Sequence, residues 1–171
     1  GGAGTGGTGL MRISGGFTYV TNTTVYVGYG STATGRLELA GGVLTTKKVA
    51  SADALASKVV FDGGTLRYVG NGGPEGSFIS GILEAALTDA GAVIDSNGGT
   101  ITISQALSNE TGCAGSFTKK GAGKVILSSS NNAFTGRVSA EEGDLTVSGA
   151  IYLIGGVAAG FVSDSEGSEL Q

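Results

Sequence analysis

Short runs in which every second residue is apolar recur along this chain, with glycines between them. Arg36-Leu37-Glu38-Leu39 precedes Gly41-Gly42, and Val43-Leu44 follows. Val59-Val60-Phe61 and Leu66-Arg67-Tyr68 flank Gly63-Gly64, while Val93-Ile94 and Ile101-Thr102-Ile103 flank Gly98-Gly99. A period of two marks strands with one buried face. Looser copies begin at Gly15-Gly16-Phe17, Gly121-Ala122-Gly123 and Glu142-Gly143-Asp144. The spacing repeats: 22 residues separate Gly42 from Gly64, Gly99 from Gly121, and Gly121 from Gly143. Gly16 and Gly42 lie 26 apart, a slightly longer coil; Gly64 and Gly99 lie 35 apart, which reads as one coil plus a 13-residue insertion.

A unit of this size holds too little apolar surface to fold alone. Stacked units bury continuous columns of Leu and Val and pass main-chain hydrogen bonds from coil to coil. The expected fold is all-β: a right-handed parallel β-helix with coils of about 22 residues. Residues 1–171 read as a single solenoid segment of a larger protein. Gly41, Gly42, Gly63, Gly64, Gly98, Gly99, Gly121, Gly123, Gly136 and Gly143 are the expected structural corners. The insertion is expected within 70–89, where Asn71-Gly72-Gly73-Pro74-Glu75-Gly76 is the densest turn signal. A loop leaving a rod can carry a specific contact, so Asn71, Pro74 and Glu75 are candidate contact residues, with a plain spacer as the simpler reading. Only Ser51–Ala56 and Ile82–Leu87 have a locally helical look.

Composition sharpens this picture. Glycine supplies 34 of 171 residues and proline one, with no Gly-X-Y period. Hydrophobic residues make up 40%, too many for a disordered glycine-rich linker, and aromatics only 6%, which suits thin aliphatic layers. A net charge of −4 with scattered basic residues argues against nucleic acid. The pairs Lys47-Lys48 and Lys119-Lys120 read as exposed strand ends. The apolar run 150–162 is broken by Gly155, Gly156 and Gly160, and is shorter than the ~20 residues of a spanning helix, so no direct membrane insertion is expected. The opening residues lack the basic and apolar regions of a signal peptide, and the start at Gly1 reads as a cut within something longer.

One stretch carries a resemblance. Residues 115–147 hold Phe117, Lys120, Gly121, Gly123, Val125, Leu127, Asn132, Phe134, Thr135, Gly136, Val138, Gly143, Leu145 and Val147. The pattern runs from an apolar residue and Thr-Lys to Gly-x-Gly, an alternating strand, Asn, aromatic-Thr-Gly and a Gly-x-Leu strand. It resembles the autotransporter-associated β-strand repeat of bacterial passenger domains, closely over about a fifth of the chain. The resemblance implies a parallel β-helix in an exported, often adhesive surface protein, and it implies no catalytic residue. The carboxy-terminal membrane barrel usual in that family has no counterpart after Val162. Phe117, Val125, Leu127, Phe134 and Val138 should point inward, with Asn131 and Asn132 at a corner.

Candidate chemistry is thin. There is no histidine, so imidazole-based proton transfer and Cys/His zinc sites are ruled out within the chain. Cys113 is the only cysteine and reads as a packed or corner thiol. Glu141-Glu142 should face opposite ways, and Glu38, Asp62 and Asp95 do not share one register. A lyase-like calcium cluster with Arg67 as base is therefore the weaker reading. The expected function is a structural or adhesive rod at the cell surface, without cofactor, with glycans or cell-surface proteins as partners. The alternatives are a carbohydrate-binding or polysaccharide-degrading β-helix, or a fibre subunit joining copies through its coil ends.

Overall fold

The computed structural model describes residues 6–70, 73–147 and 162–163. These residues hold strands and no helix, stacked as a parallel β-solenoid of about six turns. Each coil meets three walls. The first wall consists of β1 (Thr8–Ile13), β3 (Thr34–Leu39), β5 (Ala56–Phe61), β8 (Glu84–Leu87) and β11 (Ser108–Asn109). The other two are arms of one bent sheet that share β2 (Phe17–Tyr29) and β4 (Val43–Ala52). The second wall continues from β4 through β6 (Thr65–Tyr68), β9 (Ala92–Asp95), β12 (Phe117–Lys120), β14 (Val138–Ala140) and β16 (Val162–Ser163). The third runs from β4 through β7 (Ser77–Ser80), β10 (Thr100–Ile103), β13 (Lys124–Leu127) and β15 (Asp144–Val147).

Every strand pairing is parallel, and coil length follows from the register. Thr34 faces Ala56, 22 residues on; Phe17 faces Val43, 26 on; Lys124 faces Asp144, only 20 on. The longest coil takes Thr65 to Val93, 28 residues. Alternate side chains then fall into inward columns. Val25, Val49, Ile79, Ile103, Leu127 and Val147 stack behind the third wall. Leu44, Leu66 and Ile94 stack behind the second. Burying one such side chain stabilises by about 1.5–3 kcal/mol, so the stack supplies what a lone coil lacks. Phe117, Val125, Leu127, Phe134 and Val138 are all buried, as their alternation requires.

The glycines mark two different corners, which corrects the reading of the 35-residue interval. Gly41, Gly42, Gly63, Gly64 and Gly136 lie where the chain turns from the first wall into the second; Gly98, Gly99, Gly121, Gly123 and Gly143 lie between the second and the third. From Gly64 to Gly99 the chain therefore completes one coil and crosses one more wall, and no 13-residue insertion is needed. The extra length sits at one crossing. β4 passes from wall to wall between Val43 and Val49, whereas the next coil takes from Thr65 to Ile79. That detour holds Pro74 and Glu75. Side chains are excluded from some corners by close approach: a Cβ on Gly42, at φ 60°, would lie 2.7 Å from the Gly15 carbonyl. The two locally helical stretches are strand and corner instead. Ala85, Ala86 and Leu87 are buried in β8, where cross-coil pairing outweighs the weak helix propensity of six residues.

Candidate functional site

In a filled solenoid the candidate sites are the outer walls, because the interior is occupied by side chains. The outward register of the second wall sets Tyr19, Thr45, Arg67, Asp95 and Lys120 in one column. Charges alternate down its lower half. Arg67 Nε lies 3.1 Å from Asp95 Oδ2, and Lys120 Nζ lies 3.0 Å from Glu141 Oε2. Arg67 Nη2 also donates to Asn97 Oδ1 at 2.6 Å, the Asn97 backbone N–H donates to Asp95 Oδ1 at 2.8 Å, and Asn97 Nδ2 donates to the Tyr68 carbonyl at 3.1 Å. Asn97 has φ 48°, a left-handed conformation that asparagine tolerates better than most residues. Arg67, Asp95, Asn97, Lys120 and Glu142 border a shallow cleft at this corner.

At the top of the wall, two aromatic rings point outward. Phe17 and Tyr19 alternate in β2 with the half-buried Thr18 and Val20, and their rings lie 6.3 Å apart with planes 18° from parallel. Tyr26 and Tyr29 follow on the same strand, 5.3 Å apart and edge to face. These four are 51–71% exposed. The other described aromatics, Phe61, Tyr68, Phe78, Phe117 and Phe134, are 0–6% exposed.

The first wall carries a second set of ion pairs. Glu38 takes Arg36 at 2.6 Å and Arg12 at 3.4 Å, while Lys58 Nζ reaches Glu84 at 2.6 Å and Glu110 at 2.8 Å, two coils below. Partial burial disfavours the Lys58 ammonium, but hydrogen bonds and attraction from Glu110 and Glu84 outweigh it, and its pKa rises.

Lys119 departs from the expected exposed strand end. Lys120 stands outward, but Lys119 is 0% exposed and falls in the inward column beneath Leu66 and Ile94 and above Ala140. Its stem fills a core position and its ammonium turns to the corner. There it donates to Ser96 Oγ at 2.7 Å, to the Lys120 carbonyl at 3.0 Å, to the Glu142 carbonyl at 2.9 Å and to the Gly121 carbonyl. Burial pushes its pKa below the ordinary lysine value, against the attraction of Asp95, Glu142 and Asp144. The sequence signal for this role was the alternation Phe117-x-Lys119, which puts both side chains on one face.

The remaining candidates are dispersed. Pro74 and Glu75 border a cleft with Thr24, Lys47, Lys48 and Tyr68, while Asn71 lies outside the described residues, as does the apolar segment 151–154. Glu38, Asp62 and Asp95 occupy the first wall, the corner and the second wall, so they form no column. Among the described residues no three of Cys, Asp and Glu converge on a metal position. Cys113 is a half-buried free thiol in a turn. Asn132 is buried at its corner, accepting from the Leu107 N–H and donating to the Ser129 carbonyl.

Comparison with known proteins adds one relative. Over 118 residues, 69% of this chain, the sequence is 29% identical to the adhesin BmaC autotransporter of Brucella suis biovar 1 (strain 1330). The match covers about 3% of that protein's length. No protein-family model matches the chain, and no solved structure gives a significant match.

Proposed function

We propose that this chain is a non-catalytic structural and adhesive β-solenoid module of an exported bacterial surface protein. It extends the parent protein away from the cell and presents its walls to glycans or cell-surface proteins. The observation that carries this reading is the filled stack itself: aliphatic columns occupy the interior, and the chain's polar variety is spent on flat outer walls. Such a body supplies length and repeated lateral surface. The likeness to an autotransporter adhesin supports the adhesive half of the proposal and a location outside the cell. The ion pairs on the first and second walls fit a structural role, since cross-strand pairs of opposite charge contribute about 0.2–1 kcal/mol each.

Latex beads coated with the purified chain provide the test. Adherence to cultured epithelial cells above that of albumin-coated beads is the expected outcome, and adherence no greater than albumin would remove the adhesive role. Incubation with polygalacturonate, cellulose and chitin should release no new reducing ends. Release that disappears in Arg67→Ala would replace the module with an enzyme.

A further inference from the structure

Aromatic side chains are treated in two ways by this molecule. From Phe61 onward every described ring is in the core; before it, all four are on β2 and point outward. Rings that merely filled space would be in the column of buried side chains. The outward file on β2 needs another explanation, and the polar groups below it supply one.

We infer that the upper second wall, from Phe17 and Tyr19 down to Arg67, Asp95 and Asn97, is a binding site for a neutral linear oligosaccharide. This rests on the adhesive reading and names the class of ligand. A sugar ring has an apolar C–H face and an edge of hydroxyls. The first covers an aromatic ring, and the second needs donors and acceptors side by side. Phe17 and Tyr19 offer near-parallel rings whose 6.3 Å separation exceeds face-to-face contact, so ring faces stay open. Strands along the wall repeat every ~4.8 Å, which places Arg67 about 10 Å and Asp95 about 14 Å below Tyr19, within one chain of a few sugars. Arg67 and Asn97 bring donors there, and Asp95 brings acceptors. Their mutual hydrogen bonds fix them before any ligand arrives, so little ordering is left to offset binding.

Charge decides between ligand classes. The formal charges here cancel in pairs, Arg67 with Asp95 and Lys120 with Glu141, leaving no field to draw in an anionic chain. A flat protein partner would have to strip water from both pairs, at a cost that buried ion pairs recover poorly. Sugar hydroxyls replace that water instead.

The experiment is calorimetric titration of the whole chain with three uncharged hexasaccharides, cellohexaose, chitohexaose and maltohexaose, and with hexagalacturonate as the charged control. Saturable binding to at least one neutral chain is expected. Tyr19→Ala, Phe17→Ala and Arg67→Ala should each weaken it at least tenfold, while Tyr29→Ala leaves it within twofold and all melting temperatures hold. No heat with any neutral chain, equal binding by the Phe17 and Tyr19 variants, or binding to hexagalacturonate alone would overturn the inference. Sedimentation covers the other occupant: a dimer that Phe17→Ala converts to monomer assigns these rings to a second copy and overturns the inference too. Beads that adhere to cells while no neutral sugar binds would sink this inference and leave the adhesive module standing.

Discussion

Phe17 and Phe117 stand on the same wall of the same solenoid and face opposite ways. The column headed by Phe17 descends through Val43, Thr65 and Val93 to Thr118, one residue beyond Phe117. That single step turns a ring from solvent into the core, because strand side chains alternate. The first coil thus shows its aromatics outside, around half-buried Val20 and Val25, while the coils from β9 onward bury theirs and add an ammonium at the corner. Coil spacing is similar in both regions. The period determines the architecture and the parity of each large side chain determines what the wall can touch.

The sharpest way to break this contrast is to truncate both rings. Phe117→Ala should cost about 3–5 kcal/mol, as buried aromatics do, whereas Phe17→Ala should stay within about 0.5 kcal/mol; urea melts compare them directly, and equal losses would dissolve the distinction. Lys119→Met should cost about 2–3 kcal/mol, because it leaves corner carbonyls without a donor. This variant also carries a pH signature. The folded pKa of Lys119 lies below its ordinary 10.5, so the unfolded chain holds that proton more tightly. The group's contribution to stability therefore rises with pH between its folded value and 10.5, and wild type should gain on Lys119→Met as pH climbs from 7 towards 10.

Glycine substitutions separate the regions next. Gly123, at φ 91°, would push a Cβ into the Gly99 carbonyl, while Gly16, at φ 67°, has open space around it. Gly16→Ala should cost about 1–2 kcal/mol for backbone strain alone, and Gly123→Ala measurably more on the same melt. The smallest effect belongs to the first wall. Lys58 has a raised pKa, so its pairing with Glu84 and Glu110 is fully present below 10.5 and fades as pH passes above it. The stability difference between wild type and Lys58→Met should shrink over that upper range, opposite in sign to the Lys119 experiment.

Much of this architecture was legible in the alternation and the glycine spacing, because both follow from backbone geometry. Corner identity was not. Glycine pairs at the two corners look alike in sequence, and only the pairing of Thr65 with Val93 shows that the repeat changes corner between Gly64 and Gly99. Lys119 was misread through its charge: adjacent lysines suggest solvent, yet alternation from Phe117 forces one of them inward, and a corner crowded with carbonyls makes that tolerable. Phe17-x-Tyr19 carried the opposite message. Aromatic residues ordinarily suggest core, and only the parity set by Leu44 across the coil turns them outward.

The long strands β2 and β4 have a mechanical consequence. Hydrogen bonds between coils run along the rod, so tension on its two ends loads every seam in series, and the shortest seam opens first. The β2–β4 seam crosses two walls, from Phe17–Val43 to Tyr29–Ala52, whereas β11 meets β8 over only two residues. Pulled from both ends, this segment would come apart coil by coil from the region around β11, and the aromatic coil would be among the last to let go.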